Sequence, residues 1–188
     1  MQFAVYRIPV YLCPSSPELY DETVGLEYDG QKLYTMHYYG IEGPVGVNAS
    51  TGVDYAIHDE SDLFGGNSEE GIFYPDQVRS FRDVIDGTSN TVFVGEMSWT
   101  DRNGVGTRYR MWTRGANLGS YTPACRNVGS QINADSLNPY NAISFGSNHT
   151  GGTHVLMGDG TVRFFSENMN YATWLGACSI RGGEVVSF

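Results

Sequence analysis

Apolar and polar residues alternate with a period of two over several short stretches of this chain, the pattern of half-buried strands. Thr91–Met97 alternates in this way, with Gly95 marking a bulge or a close backbone approach. Residues 153–165 (THVLMGDGTVRFF) place two apolar runs around Gly158-Asp159-Gly160, which predicts a hairpin whose Asp-Gly turn has both residues at positive φ. Residues 33–41 (LYTMHYYGI) are dense in Tyr and Thr and predict a strand, as does the alternation over 108–113. Phe3–Leu12 is rich in strand formers but carries Pro9, so it is an edge strand or a connector. Helical spacing occurs twice. Val78, Phe81 and Ile85 predict a short helix over 76–85, with Asp76 as N-cap and Gly87 as stop; Asn170 caps a second through Ala177, carrying Tyr171, Trp174 and Leu175, with Cys178 just beyond. Residues 42–71 and 114–141 are loop-like, and loops that long are usually functional or hide short elements. The sum is an α+β fold, mostly antiparallel β, with two short helices and long loops.

Length and composition narrow this picture. The 188 residues fit a single domain, 1–188. A hydrophobic fraction of 40% excludes a disordered chain, and 24 Gly with 7 Pro exclude a helix bundle. No apolar run reaches the roughly 18 residues a membrane span needs. The net charge of -10 argues against nucleic acid as a partner. The acidity is local: residues 1–76 hold 13 acids and two bases, whereas 77–188 hold eight acids and nine bases. That first part is also rich in Tyr (Tyr11, Tyr20, Tyr28, Tyr34, Tyr38, Tyr39, Tyr55, Tyr74), a composition shared by good strand formers and by glycan- or protein-binding surfaces. Cys13, Cys125 and Cys178 show no C-x-x-C spacing, so neither a zinc finger nor a redox pair is indicated.

Familiar catalytic signatures are missing: there is no G-x-S-x-G, H-E-x-x-H, P-loop or dinucleotide fingerprint. The acidic stretch from Asp59 to Glu70 resembles a calcium loop but not an EF-hand. Calcium is the one cofactor considered; if bound, it is expected among loop carboxylates and carbonyls of 42–90, with Asp59, Asp62 and Asp86 as candidate ligands. Asp86-Gly87-Thr88-Ser89-Asn90 otherwise reads as a turn whose side chains bond nearby backbone. His149 and His154 offer two metal ligands where zinc needs at least three, so they are taken as structural, with His149 tying the 146–152 turn to the hairpin through a carboxylate or carbonyl. A Ser89–His149–Asp159 triad can be written, but no spacing supports it. Asp159 is expected to fix the hairpin turn.

Four ordered blocks resemble a known family. They are Tyr11-Leu12-Cys13-Pro14-Ser15; Val84 to Thr91 (VIDGTSNT) running on to Val94-Gly95-Glu96; Ser144 to Gly152 (SFGSNHTGG) with Asp159-Gly160 and Thr161 to Phe164 (TVRF); and Arg181 to Val186 (RGGEVV). Together they resemble the prepilin-type processing-associated His-x9-Asp-Gly domain family, expanded in planctomycete bacteria. The resemblance implies an exported protein with a pilin- or pseudopilin-like globular head, no catalytic residues, and structural roles for His149, Asp159, Gly160, Asp86, Gly87, Asn90 and Glu96. It also implies a calcium site, for which it offers no matching ligand set. Members usually open with a Phe-Thr-Leu-Ile-Glu-type leader and a long apolar helix. This sequence begins close to the Cys-Pro block, so a head without that helix is expected.

The function expected from these readings is a non-catalytic extracellular structural or assembly subunit, self-associating as a homo-oligomer or filament. The alternative is an extracellular module that binds a glycan or another ligand through the Tyr-rich acidic loops.

Overall fold

The computed structural model describes residues 2–21, 25–59, 63–100, 109–114, 124–137 and 139–183. Its strands are β1 (Glu27–Tyr28), β2 (Gln31–Lys32), β3 (Tyr38–Pro44), β4 (Ile57–His58), β5 (Asn67–Ser68), β6 (Val92–Glu96), β7 (Cys125–Val128), β8 (Gly152–Met157) and β9 (Val162–Ser166). One α-helix, α1 (Tyr171–Ala177), follows, and 3₁₀ turns lie at Gln2–Val5, Pro9–Tyr11, Phe81–Asp83 and Tyr140–Ala142. Five strands form the main sheet in the order β7-β3-β6-β8-β9. Its neighbours are antiparallel except β3 and β7, which run parallel. The fold is thus the α+β, mostly antiparallel architecture expected. No helix among the described residues is long and apolar enough to cross a membrane.

The alternation of β3, β6, β8 and β9 sends one set of side chains into the core. Tyr39, Ile41, Val92, Val155, Met157 and Phe165 pack there against Phe145 and against Trp174 and Leu175 of α1. Trp174 is fully buried; Phe145 and Phe165 meet it edge-on at 6.2 and 6.0 Å, and its indole N–H donates to Ser130 O at 3.2 Å. Such edge-on pairs each add about 0.5–1.5 kcal/mol beyond the area they bury. The helix starts at a cap, the Asn170 side chain accepting from Thr173 N–H at 3.2 Å, and at its other end Ala177 and the C-cap Cys178 are fully buried. On the parallel pair, Arg126 lies opposite Ile41 and is fully buried, its guanidinium 4.5 Å from the Tyr140 ring and 5.3 Å from that of Tyr39. A planar, weakly hydrated guanidinium tolerates burial between aromatic faces.

Of the two readings of Phe3–Leu12, the structure takes the connector, which runs through two 3₁₀ turns. Several other expected elements take another form. The strand expected over 33–41 begins only at Tyr38, because Tyr34 and Thr35 make single bridges to Tyr20 and Met111. That Thr35 bridge is all the pairing found in 109–113; Arg108 lies outside the described residues. The helix over 76–85 is replaced by a turn, Phe81–Asp83, capped by Ser80 rather than Asp76. Its apolar positions have no core to face: Val78, Phe81 and Ile85 are exposed, and the Ile85 N–H bonds Ile180 O at 2.7 Å instead of a carbonyl one turn back. The long loops hide the tail of β3, the β4–β5 hairpin, β7 and the 140–142 turn.

Candidate functional site

Register places a second set of side chains on the outer face of the sheet. Tyr38 pairs with Glu96, His154 with Phe164, Val94 with Leu156, and Leu156 with Val162. One row across this face is therefore polar at Tyr38, Glu96 and His154 and ends in the apolar Phe164, and the next is apolar throughout (Val94, Leu156, Val162). The apolar row and the N-terminal Val10 and Tyr11 border a groove of about 550 Å³, which Tyr38 and His154 also line.

The polar row ends in a cluster. Glu96 is buried, and its carboxylate accepts from three donors: Ser98 Oγ to Oε1 at 2.7 Å, and Thr153 Oγ1 and His154 N–H to Oε2 at 3.3 and 3.2 Å. His149 Nε2 lies 3.6 Å from Glu96 Oε1, 3.5 Å from Cys13 Sγ and 3.5 Å from Ser15 Oγ. His154 closes the flank: its Nδ1 is 3.8 Å from Glu96 Oε2, and its ring meets that of His149 edge-on at 4.8 Å. Each residue is held by its own neighbours. The Cys13 N–H donates to Nδ1 of buried His37 at 2.9 Å, and burial pushes that imidazole down to about 4, so it is neutral at pH 7 and able to accept. His149 N–H donates to Ser147 Oγ, which donates to Gly152 O. Tyr38 stands beside Cys13, its hydroxyl pushed up to about 12 by burial first, then by Cys13 and Glu96.

The His-x9-Asp-Gly spacing acquires a physical meaning here. His149 and Asp159 stand at opposite ends of β8, which is roughly 17 Å long at about 3.3 Å per residue, so the nine-residue interval measures a strand. At the far end Asp159 Oδ1 accepts from Thr161 N–H and Oγ1 at 2.9 and 2.7 Å, and these bonds hold its carboxyl below the usual range. Asp159 is the turn residue expected, with one correction: of the Asp-Gly pair, Gly160 alone has positive φ (86°), and the turn closes by Gly160 N–H to Met157 O. The tip docks on the 86–91 turn, Gly158 and Asp159 N–H donating to Thr91 and Thr88 O at 2.9 and 3.0 Å. That turn forms in part as read: Gly87 has positive φ and Asn90 Nδ2 donates to Asp86 O at 3.0 Å, but Asp86 Oδ1 reaches away from the turn and accepts from Gly183 N–H at 3.2 Å.

The structure also places the other residues singled out from the sequence. Ser89, His149 and Asp159 form no triad, since Asp159 serves Thr161 at the hairpin tip and His149 sits beyond the strand's other end. Among the described residues, the one group of three or more His, Cys, Asp or Glu donors spaced to hold a single ion is Cys13, Glu96 and His149, and neither Asp59 nor Asp86 belongs to it. Asp62 lies outside the described residues. The tyrosines form no single surface: Tyr39 and Tyr55 are core, Tyr20 and Tyr34 face each other at 5.0 Å, and Tyr11 and Tyr38 line the groove. All three cysteines are free thiols.

The match to known proteins covers most of the chain. Residues 2–171 fit a family described as "Protein of unknown function (DUF1559)". The chain belongs to the DUF1559 family. No curated protein and no solved structure matches it. The cluster lies wholly inside the DUF1559 match. Sequence reasoning singled out Glu96 and His149 one at a time and passed over Cys13 as a ligand. The signal was present, because Cys13, Glu96 and His149 each stand in one of the blocks quoted above.

Proposed function

We propose that this DUF1559 chain is a non-catalytic structural or assembly subunit of the cell exterior, with a pilin-like head that self-associates through the outer face of its sheet. The observation that carries this reading is the apolar row. An antiparallel sheet with one solvated face normally turns polar residues outward. Here the outward positions of β8 and β9 include Leu156, Val162 and Phe164, all exposed, with Val10 and Tyr11 beside them. The His-x9-Asp-Gly resemblance supports the pilin-like assignment, and its two ends serve as anchors of the hairpin that carries this face.

Sedimentation and electron microscopy of the purified protein test the proposal. Concentration-dependent oligomers or filaments are expected, burying on the order of 1,000 Å² or more per contact, and a Leu156→Lys, Val162→Glu variant should remain monomeric with its fold intact. Monomers of the wild type at every concentration would refute it. A second reading, a monomeric binding module, is favoured by the groove itself, whose volume falls within the range of small-molecule sites of roughly 300–1,000 Å³. Its lining suits an apolar ligand better than a glycan, and saturable binding to a monomer would select it.

A further inference from the structure

We infer that Cys13, Glu96 and His149 form a binding site for one divalent transition-metal ion of the zinc type, independently of whether the chain assembles.

Three side chains from distant parts of the chain bring their donor atoms together, all within 4.8 Å of one another. Zinc bonds of about 2.3 Å to sulfur and about 2.0–2.1 Å to nitrogen or oxygen, at tetrahedral angles, require S···N separations of about 3.6 Å and N···O separations of about 3.3 Å. The observed separations are 3.5 Å from Cys13 Sγ to His149 Nε2 and 3.6 Å from His149 Nε2 to Glu96 Oε1. Hydrogen bonding alone accounts for the arrangement less well. A single ring nitrogen, Nε2, faces Cys13 Sγ, Ser15 Oγ and Glu96 Oε1, and in either tautomer it cannot bond all three at once. The two oxygens, at 3.5 and 3.6 Å, are also well beyond the usual N–H···O length of about 2.9–3.0 Å. A nucleophilic triad is excluded by the same fact, because there the base uses one ring nitrogen for the nucleophile and the other for the carboxylate.

The surroundings are those of a metal site. Ser98, Thr153 and the His154 N–H orient the Glu96 carboxylate from behind, as outer-shell donors do. Ser15 Oγ lies 3.0 Å from Cys13 Sγ and can donate to a bound thiolate. Glu96 and Cys13 are buried while Ser15 and His154 are exposed, giving a fixed floor and an open side. A thiolate, an imidazole and one carboxylate select zinc-type ions over calcium or magnesium, which take oxygen ligands. Three protein ligands leave a fourth position for water.

The test is titration of the untagged, chelator-treated protein with Co(II), followed by displacement with Zn(II). One equivalent of Co(II) should produce a near-ultraviolet thiolate-to-metal charge-transfer band that Zn(II) abolishes, and Zn(II), but not Ca(II), should raise the melting temperature. Cys13→Ser should eliminate the band and Cys125→Ser should leave it. His149→Gln, a second route should Cys13→Ser fail to fold, should weaken binding at least tenfold, with circular dichroism confirming the fold. The inference is overturned by the absence of saturable Co(II) or Zn(II) binding, or by a band that survives Cys13→Ser.

Discussion

Gly95 offers a test of the packing argument in which the sign of the effect decides. It lies in β6 between the core and the buried Glu96, and its φ is not in the left-handed region, so its backbone suits any residue. On backbone grounds alone Gly95→Ala should stabilise the strand by roughly 0.5–1 kcal/mol, since alanine loses less conformational freedom on folding. The tertiary structure reverses this expectation. A Cβ built there stands 2.5 and 2.7 Å from two Phe145 ring carbons and 3.3 Å from Ile41 Cδ1. Phe145 is itself buried and braced edge-on by Trp174, so the ring cannot retreat by the ångström needed without moving α1. Overpacking of this kind costs about 1–3 kcal/mol, which outweighs the backbone gain. Gly95→Ala should therefore be destabilised by about 1–2 kcal/mol in urea denaturation followed by circular dichroism, with an unchanged m-value. Phe145→Leu opens the space, so the double variant should be more stable than the sum of the two single effects implies, by about 1 kcal/mol. A Gly95→Ala protein as stable as wild type, or strict additivity with Phe145→Leu, would refute the reasoning.

Two further outcomes follow from the site description. Asp159→Asn should melt close to wild type, because an amide oxygen can accept the same two bonds from Thr161, whereas Asp159→Ala should melt clearly lower; equal losses in the two would show that charge rather than turn geometry is at stake. Burial pushes the Cys125 thiol up to about 12, with Glu42 adding to it, and drives Cys178 well above its ordinary value. Neither thiol should then be alkylated by iodoacetamide in the native protein at pH 8 on the timescale that labels the urea-unfolded chain, and peptide mapping that finds equal labelling in both states would contradict this.

The parts of the fold legible in the sequence are those whose information lies within a few residues. The Gly158-Asp159-Gly160 hairpin, the Asn170 cap and the close approach at Gly95 were each written in local spacing, and each is present. Legibility failed where spacing was right but no partner surface existed. Val78, Phe81 and Ile85 keep a helical interval yet face solvent, and without a core to bury them the helix does not form. It failed again at Tyr34 and Thr35, whose strand-forming chemistry is spent on bridges to two different segments.

The candidate site marks the same boundary more sharply. The sequence alone determined that His149 precedes a strand that ends in an Asp-Gly turn, and that Gly95 and Glu96 adjoin in another strand; Cys13 stood only in a block of the resemblance. Only the tertiary structure decided that these belong together, bringing Cys13 to His149 across 136 positions and Glu96 beneath both. Period-two alternation tells which residues share a strand face, but not which strand lies alongside. The order β7-β3-β6-β8-β9, including a parallel pair that no turn signal announces, depends on burial gained between segments far apart in the chain.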